Sequence, residues 1–205
     1  MIRYLILLIA TLLIIPNAHS QLNKKMWLVG GAGSFKAYTQ EIAVPDPSLG
    51  WSDFHYIEIN ATAKIGYFIV DKFVVGLTPA FSYFHGESRN GTGPTIYPTR
   101  FWFGPFARYY LLNKRKYFNI ATEVVYQPGI QWWRKQVPST GTLSNLTFSV
   151  GPEIFFNPTI GLEILLGYRV TKEYLKYKGG SSSSFSYNQN GLQLSVGIQI
   201  HLQKR

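Results

Sequence analysis

The stretch that decides the fold is Gly191-Leu192-Gln193-Leu194-Ser195-Val196-Gly197-Ile198-Gln199-Ile200-His201-Leu202. Leu192, Leu194, Val196, Ile198, Ile200 and Leu202 take every second place, and small or polar residues take the places between. A period of two puts alternate side chains on opposite faces of an extended strand. The same pattern precedes it. Ile160, Leu162, Ile164, Leu166, Tyr168 and Val170 alternate with Gly161, Glu163, Leu165, Gly167, Arg169 and Thr171. Further back, Phe118, Ile120, Val124, Tyr126, Ile130 and Trp132 alternate with Asn119, Ala121, Glu123, Gln127, Gly129 and Gln131. Followed along the chain, the pattern predicts eight strands near 26–38, 54–69, 72–85, 99–112, 117–133, 143–156, 159–175 and 188–202.

The connections alternate in length. Strands 2–3, 4–5 and 6–7 are joined by tight turns at Val70-Asp71-Lys72, Asn113-Lys114-Arg115-Lys116 and Asn157-Pro158. The other joins are longer and polar: residues 41–53 with Pro45, Pro47 and Gly50, residues 86–98 with Gly91, Gly93 and Pro94, and the tip Gly179-Gly180-Ser181-Ser182-Ser183-Ser184. An even strand number with short turns on one side and long loops on the other predicts an all-β, eight-stranded antiparallel up-and-down transmembrane barrel.

The choice of outward face rests on residue size. Gly66, Gly76, Gly104, Gly129, Gly151, Gly161, Gly167, Gly191 and Gly197 share the polar face, while Phe81, Phe101, Tyr126, Trp132, Phe148 and Tyr168 share the apolar one. Eight strands enclose barely enough room for their own side chains, so small residues belong inside and the aromatics need an outer apolar medium. A soluble lipocalin-like carrier, with its apolar face inward, is the competing reading. Aromatics also gather at strand ends, as interfacial girdles do. Trp27, Phe68, Phe73, Tyr117 and Phe156 mark the short-turn side. Trp51, Phe54, Tyr83, Phe84, Trp102, Trp132, Trp133 and Tyr174 mark the other.

Residues 1–20 read as a secretory signal: Arg3, an apolar run from Tyr4 to Ile15, then Pro16-Asn17 and Ala18-His19-Ser20 before Gln21. That run is too short for a spanning helix, which needs about 20 apolar residues. Residues 21–205 then form one barrel domain exported to the bacterial outer membrane. With no Cys, disulfides, lipid attachment at the cleavage site and thiolate chemistry are excluded. The net charge of +10 comes from scattered basic residues, so it points to an anionic surface and not to nucleic acid.

The chain resembles the OmpA/OmpX-type outer-membrane barrels, especially the porin-family barrel domains of Bacteroidota. The resemblance is carried by Ala63-Lys64-Ile65-Gly66-Tyr67-Phe68-Ile69-Val70-Asp71-Lys72-Phe73-Val74-Val75-Gly76-Leu77, by Gly104-Pro105-Phe106-Ala107-Arg108-Tyr109-Tyr110 and by the last strand. That strand resembles the signal read by the barrel-assembly machinery, but ends in Leu202-Gln203-Lys204-Arg205 in place of a terminal aromatic. The resemblance implies a monomer surrounded by outer-membrane lipid and lipopolysaccharide, with no cofactor.

The chemistry available is a set of lumenal charges: Glu58, Lys64, Lys72, Arg108, Glu123, Glu153, Glu163 and Arg169. Buried charges must pair. Counting across the turns sets Arg108 opposite Glu123 and Glu153 opposite Glu163. The two adjacent glutamates form a proton- or cation-sensitive site, or else a neighbouring cation makes them part of an ion-paired plug. His55 and His85 are expected to face each other at the long-loop rim, a weak metal candidate with Glu87 alone as a third ligand. His85, Glu87 and Ser88 are also near enough in sequence for lipid-modifying chemistry, but match no catalytic motif, so no catalytic residue is assigned. Asn60, Asn90 and Asn145 begin chance glycosylation sequons. The expected function is a non-enzymatic barrel with a plugged lumen and interacting loops. The alternatives are a narrow channel for ions or very small solutes, and a lipid A-modifying enzyme.

Overall fold

In the computed structural model, which describes residues 22–43, 51–88, 98–113, 117–133, 139–177 and 184–203, the eight alternating segments are eight strands of one closed sheet. They are β1 (Trp27–Ala43), β2 (Trp51–Val70), β3 (Phe73–Ser88), β4 (Pro98–Tyr110), β5 (Phe118–Trp133), β6 (Ser139–Phe155), β7 (Ile160–Tyr177) and β8 (Ser184–Leu202). Every strand pairs antiparallel with its neighbours in sequence, and β1 closes on β8. The expected signal segment, the long-loop tips and the Asn113-to-Tyr117 turn residues 114–116 lie outside the described residues.

The strands run further toward the long loops than the apolar alternation does. β8 begins at Ser184, where residues 184–190 are mostly polar and pair with β7. Strand pairing needs backbone partners on both sides, and those are present there; an apolar face is needed only where a strand meets an apolar medium.

The registers fix how the sheet closes. From Trp27 the ladders lead through Tyr67, Val75, Ala107, Val124, Phe148 and Tyr168 to Leu192. Trp27 itself pairs with Leu202 on the other side. One circuit therefore climbs from residue 202 to residue 192, a stagger of ten residues, which tilts the strands and narrows the barrel.

The barrel is inverted relative to a soluble protein. Ile65, Phe81, Phe101, Phe103, Tyr126, Ile130, Phe148, Leu166, Leu192 and Ile198 stand on the outer surface, while Lys64, Arg108, Glu123, Glu153 and Glu163 are buried inside. Glycines make the interior fit. Gly66 and Gly76 pair across β2 and β3, and the Phe106 ring lies over both: a Cβ on Gly66 would stand 2.8 Å from Phe106 Cζ.

Two aromatics expected at the outer girdles point inward. Phe68 is fully buried and Trp102 nearly so, its Nε1 donating to Ser82 Oγ at 3.2 Å. Each follows the alternation of its own strand, Phe68 in step with Lys64 and Gly66, and Trp102 with Gly104 and Arg108. Trp27, Tyr117, Tyr83, Trp132 and Tyr174 are on the outer surface as expected.

Candidate functional site

The short-turn end of the barrel is stopped by an apolar cap. The segment before β1 folds under the opening: Lys25 N donates to Phe68 O, Phe68 N to Met26 O, and Lys72 N to Leu22 O, each at 2.9 Å. Leu22 and Met26 are thereby buried with Leu28, Phe68, Val74, Tyr110 and Phe155. The His201 ring joins them, 5.2 Å from the Phe155 ring and 5.8 Å from that of Phe68.

Above the cap lies the charge cluster. The registers place Arg108 opposite Glu123 and Glu153 opposite Glu163, the pairs expected from the turns. Arg108 also joins the two pairs. Its Nε donates to Glu123 Oε2 at 2.8 Å, Nη2 to Glu163 Oε2 at 2.5 Å, and Nη1 to Glu153 Oε2 at 3.4 Å. Lys64 Nζ lies 2.7 Å from Glu123 Oε1 and 3.2 Å from Glu163 Oε1. A guanidinium offers five donors in a flat fork, which suits it to hold several carboxylates at once. The two glutamates thus have a cation between them.

Two further groups hold Glu153. The Tyr110 hydroxyl donates to Oε2 at 2.7 Å and accepts from Arg108 Nη1 at 3.3 Å. His201 Nε2 lies 2.7 Å from Oε1, within hydrogen-bond distance. The cluster gathers three carboxylates, two fixed cations, a tyrosine and a histidine, with Arg108, Glu153 and Glu163 fully buried. Tyr110→Phe removes one donor from a buried carboxylate. A loss of about 1.5–3 kcal/mol is expected, read as a lower urea midpoint for unfolding of the detergent-folded barrel.

The remaining charges sit elsewhere. Arg169 Nη1 is 3.7 Å from Glu58 Oε1, nearer the long-loop end. Lys72 lies in the turn between β2 and β3 with φ of 67°, its Nζ 3.4 Å from Leu111 O and 5.6 Å from the centre of the Tyr109 ring. It is a rim residue and no part of the lumenal cluster, because the left-handed turn carries it off the strand alternation. The sequence reading missed a second buried pair, Arg100 Nη2 with Glu173 Oε2 at 3.1 Å; Arg100 Nε also donates to Gln131 Oε1 at 2.5 Å. Between the two charged levels a polar layer fills the lumen. Gln127 Nε2 donates to Thr78 O at 3.0 Å and Asn145 Nδ2 to Gln127 Oε1 at 3.1 Å.

The two rim histidines are not direct partners. The β2–β3 register sets His55 opposite Glu87 and His85 opposite Ile57, so the histidines are diagonal neighbours. At the bulge between Phe68 and Val70 the ladder shifts by one residue, from Val70↔Phe73 to Phe68↔Val74, and keeps that register out to the rim.

No protein-family profile and no curated protein sequence matches the chain. Among solved structures it is similar to the crystal structure of Neisserial surface protein A, at 16% identity and a TM-score of 0.46. The match covers 85% of this chain and 96% of that one.

Proposed function

We propose that this chain is a non-enzymatic outer-membrane protein, an OmpA/OmpX-type barrel of the Bacteroidota porin-family kind. Its lumen is closed to solutes and its long loops meet partners at the cell surface. Residues 1–20 serve as the cleaved export signal, and the barrel-assembly machinery inserts the mature chain as a monomer among outer-membrane lipid and lipopolysaccharide. The membrane part of this reading is supported by the inversion of the barrel. Large apolar side chains such as Leu192 (69% exposed) and Phe148 (52% exposed) cover the outside, and charges are held within. Where β1 pairs with β8 the sheet is a closed ring, and a closed ring satisfies its backbone groups inside lipid.

The observation that carries the functional reading is the double closure of the lumen, by the apolar cap and by the Arg108-centred cluster above it. No water-filled path suits a barrel whose axis is occupied by bonded side chains. Reconstituted into planar lipid bilayers, the protein is expected to give no steady ohmic conductance. A stable open level would establish the channel alternative. Flotation with outer-membrane fragments and a heat-modifiable gel mobility are the expected companion results.

A further inference from the structure

The barrel wall is not sealed equally all round. β1 pairs with β2 from Trp27 to Ala43, and β8 pairs with β7 as far as Ser184. Between β1 and β8, among the described residues, the ladder runs only from Trp27↔Leu202 to Gly33↔Val196. Beyond it, residues 34–43 of β1 and 184–195 of β8 each have a ladder on one edge alone.

The height of this gap follows from the tilt. A strand rises about 3.3 Å per residue, and barrel strands tilt by about 35–45°. Leu192 therefore stands roughly 24 Å above Leu202 along the axis, and Val196 roughly 14 Å. The apolar band of such barrels is about 25 Å tall. The seam is thus closed through the half of the band nearer the short turns and open through the half nearer the long loops, the outer leaflet if the protein sits in the outer membrane as proposed above.

A cavity of about 100 Å³ opens at this gap. It is lined by the lumenal residues Glu58, Arg100, Trp102 and Arg169 and by the edge of β8 at Leu192 and Leu194, whose side chains face outward, so it lies where the lumen meets the open edge. Two arginines and one glutamate line it. Arg169 Nε is buried without a hydrogen-bond partner, and the guanidinium's contact with Glu58 is a long 3.7 Å. A buried donor left open favours any acceptor that can reach it. Gly191, which pairs with Arg169, leaves the space beside it clear: a Cβ there meets nothing within 4 Å.

We propose that the β1–β8 gap is a lateral portal through which the phosphate-bearing headgroup of an outer-leaflet lipid reaches Arg169. Its acyl chain stays outside along Leu192 and Leu194. Phosphate suits the site because a guanidinium binds it through two parallel hydrogen bonds. The edge strands, short of backbone partners at this depth, find polar ones in the headgroup and its water.

The test is native mass spectrometry of the full detergent-folded chain offered oleoyl lysophosphatidic acid, monooleoylglycerol or inorganic phosphate. One lysophosphatidic acid is expected to stay on each barrel, with monooleoylglycerol held at least ten-fold more weakly and inorganic phosphate not held. Arg169→Gln is expected to weaken retention about ten-fold. Gly191→Phe, whose Cβ meets nothing and whose ring enters the space beside Arg169, is expected to abolish it. Equal retention of monooleoylglycerol, retention of inorganic phosphate alone, a lipid-free dimer joined at the open edges, or an unaltered Gly191→Phe would each overturn the portal. Heat-modifiable mobility is read for every protein in parallel; its absence in the wild type would overturn the membrane-barrel reading instead.

Discussion

Replacing Arg108 with methionine is expected to destabilise the barrel by about 3–5 kcal/mol, the largest effect of any single change to the charge cluster. The size follows from what is left behind. Arg108 is fully buried and bonds to Glu123, Glu153 and Glu163 together. Without it the facing Glu153 and Glu163 lose the guanidinium between them, and Lys64 alone remains on Glu123 and Glu163. Methionine fills much of the volume, so the loss reports charge more than packing. The measurement is the urea midpoint of the heat-modifiable band. The double change Arg108→Met with Glu163→Gln removes a carboxylate as well and is expected to recover part of the loss. A single-variant loss below about 1 kcal/mol would mean that the cluster is loosely held and open to water, as for a surface pair.

The second large effect is expected at Gly76. A Cβ there would run into Ile65 O of the neighbouring strand, stand 2.5 Å from Gly66 Cα and 2.7 Å from Phe106 Cε1. Two of these three obstacles are backbone, so they yield only if β2 moves away from β3. Overpacking of this kind costs about 1–3 kcal/mol, and Gly76→Val is placed at the upper end because the wall itself must part. Gly191→Ala is the control, with nothing near its new methyl group and a change within about 0.5 kcal/mol. Both are read by thermal unfolding in the same detergent. Equal melting temperatures for the two variants would show slack around Phe106 and Gly66 that their close packing against Gly76 does not leave.

The strand alternation and the turn lengths sufficed for the architecture, because a sheet with one face in lipid repeats the same period on every strand. Pair geometry across tight turns was equally legible: Arg108 with Glu123 and Glu153 with Glu163 both follow from where the turns lie. Two kinds of fact were not. Aromatic character puts Phe68 and Trp102 outward, although each shares its place in the alternation with lumenal residues of its own strand. Position decides the face, and chemistry only follows it on average. The same alternation marks Tyr110 as inward beside Arg108. Its role on Glu153 needs three dimensions, however, since the residues belong to β4 and β6, two strands that are not paired. His201 is remoter still, reaching Glu153 across the lumen from β8. Such contacts cross the barrel and leave no spacing in the sequence. Arg100 and Glu173 fall inside the expected strands on the inward alternation, but they sit on β4 and β7, which are not neighbours, so no turn count sets them together.

The ten-residue stagger carries a rule for how such a chain can change over time. In a ring of strands whose two faces differ, the climb per circuit must be even, or somewhere an inward residue would be set beside an outward one. The climb is therefore quantised in steps of two. A strand that gains or loses a single residue cannot slide to absorb it, because sliding by one turns all of its lipid-facing side chains into the lumen. The change must stay local as a bulge, such as the irregularity at Phe68 and Val70, or be passed to a loop. Lengthening by pairs meets no such obstacle. The ladder that joins Trp27 to Leu202 is in this sense a count the sequence has to keep, even where no individual side chain is indispensable.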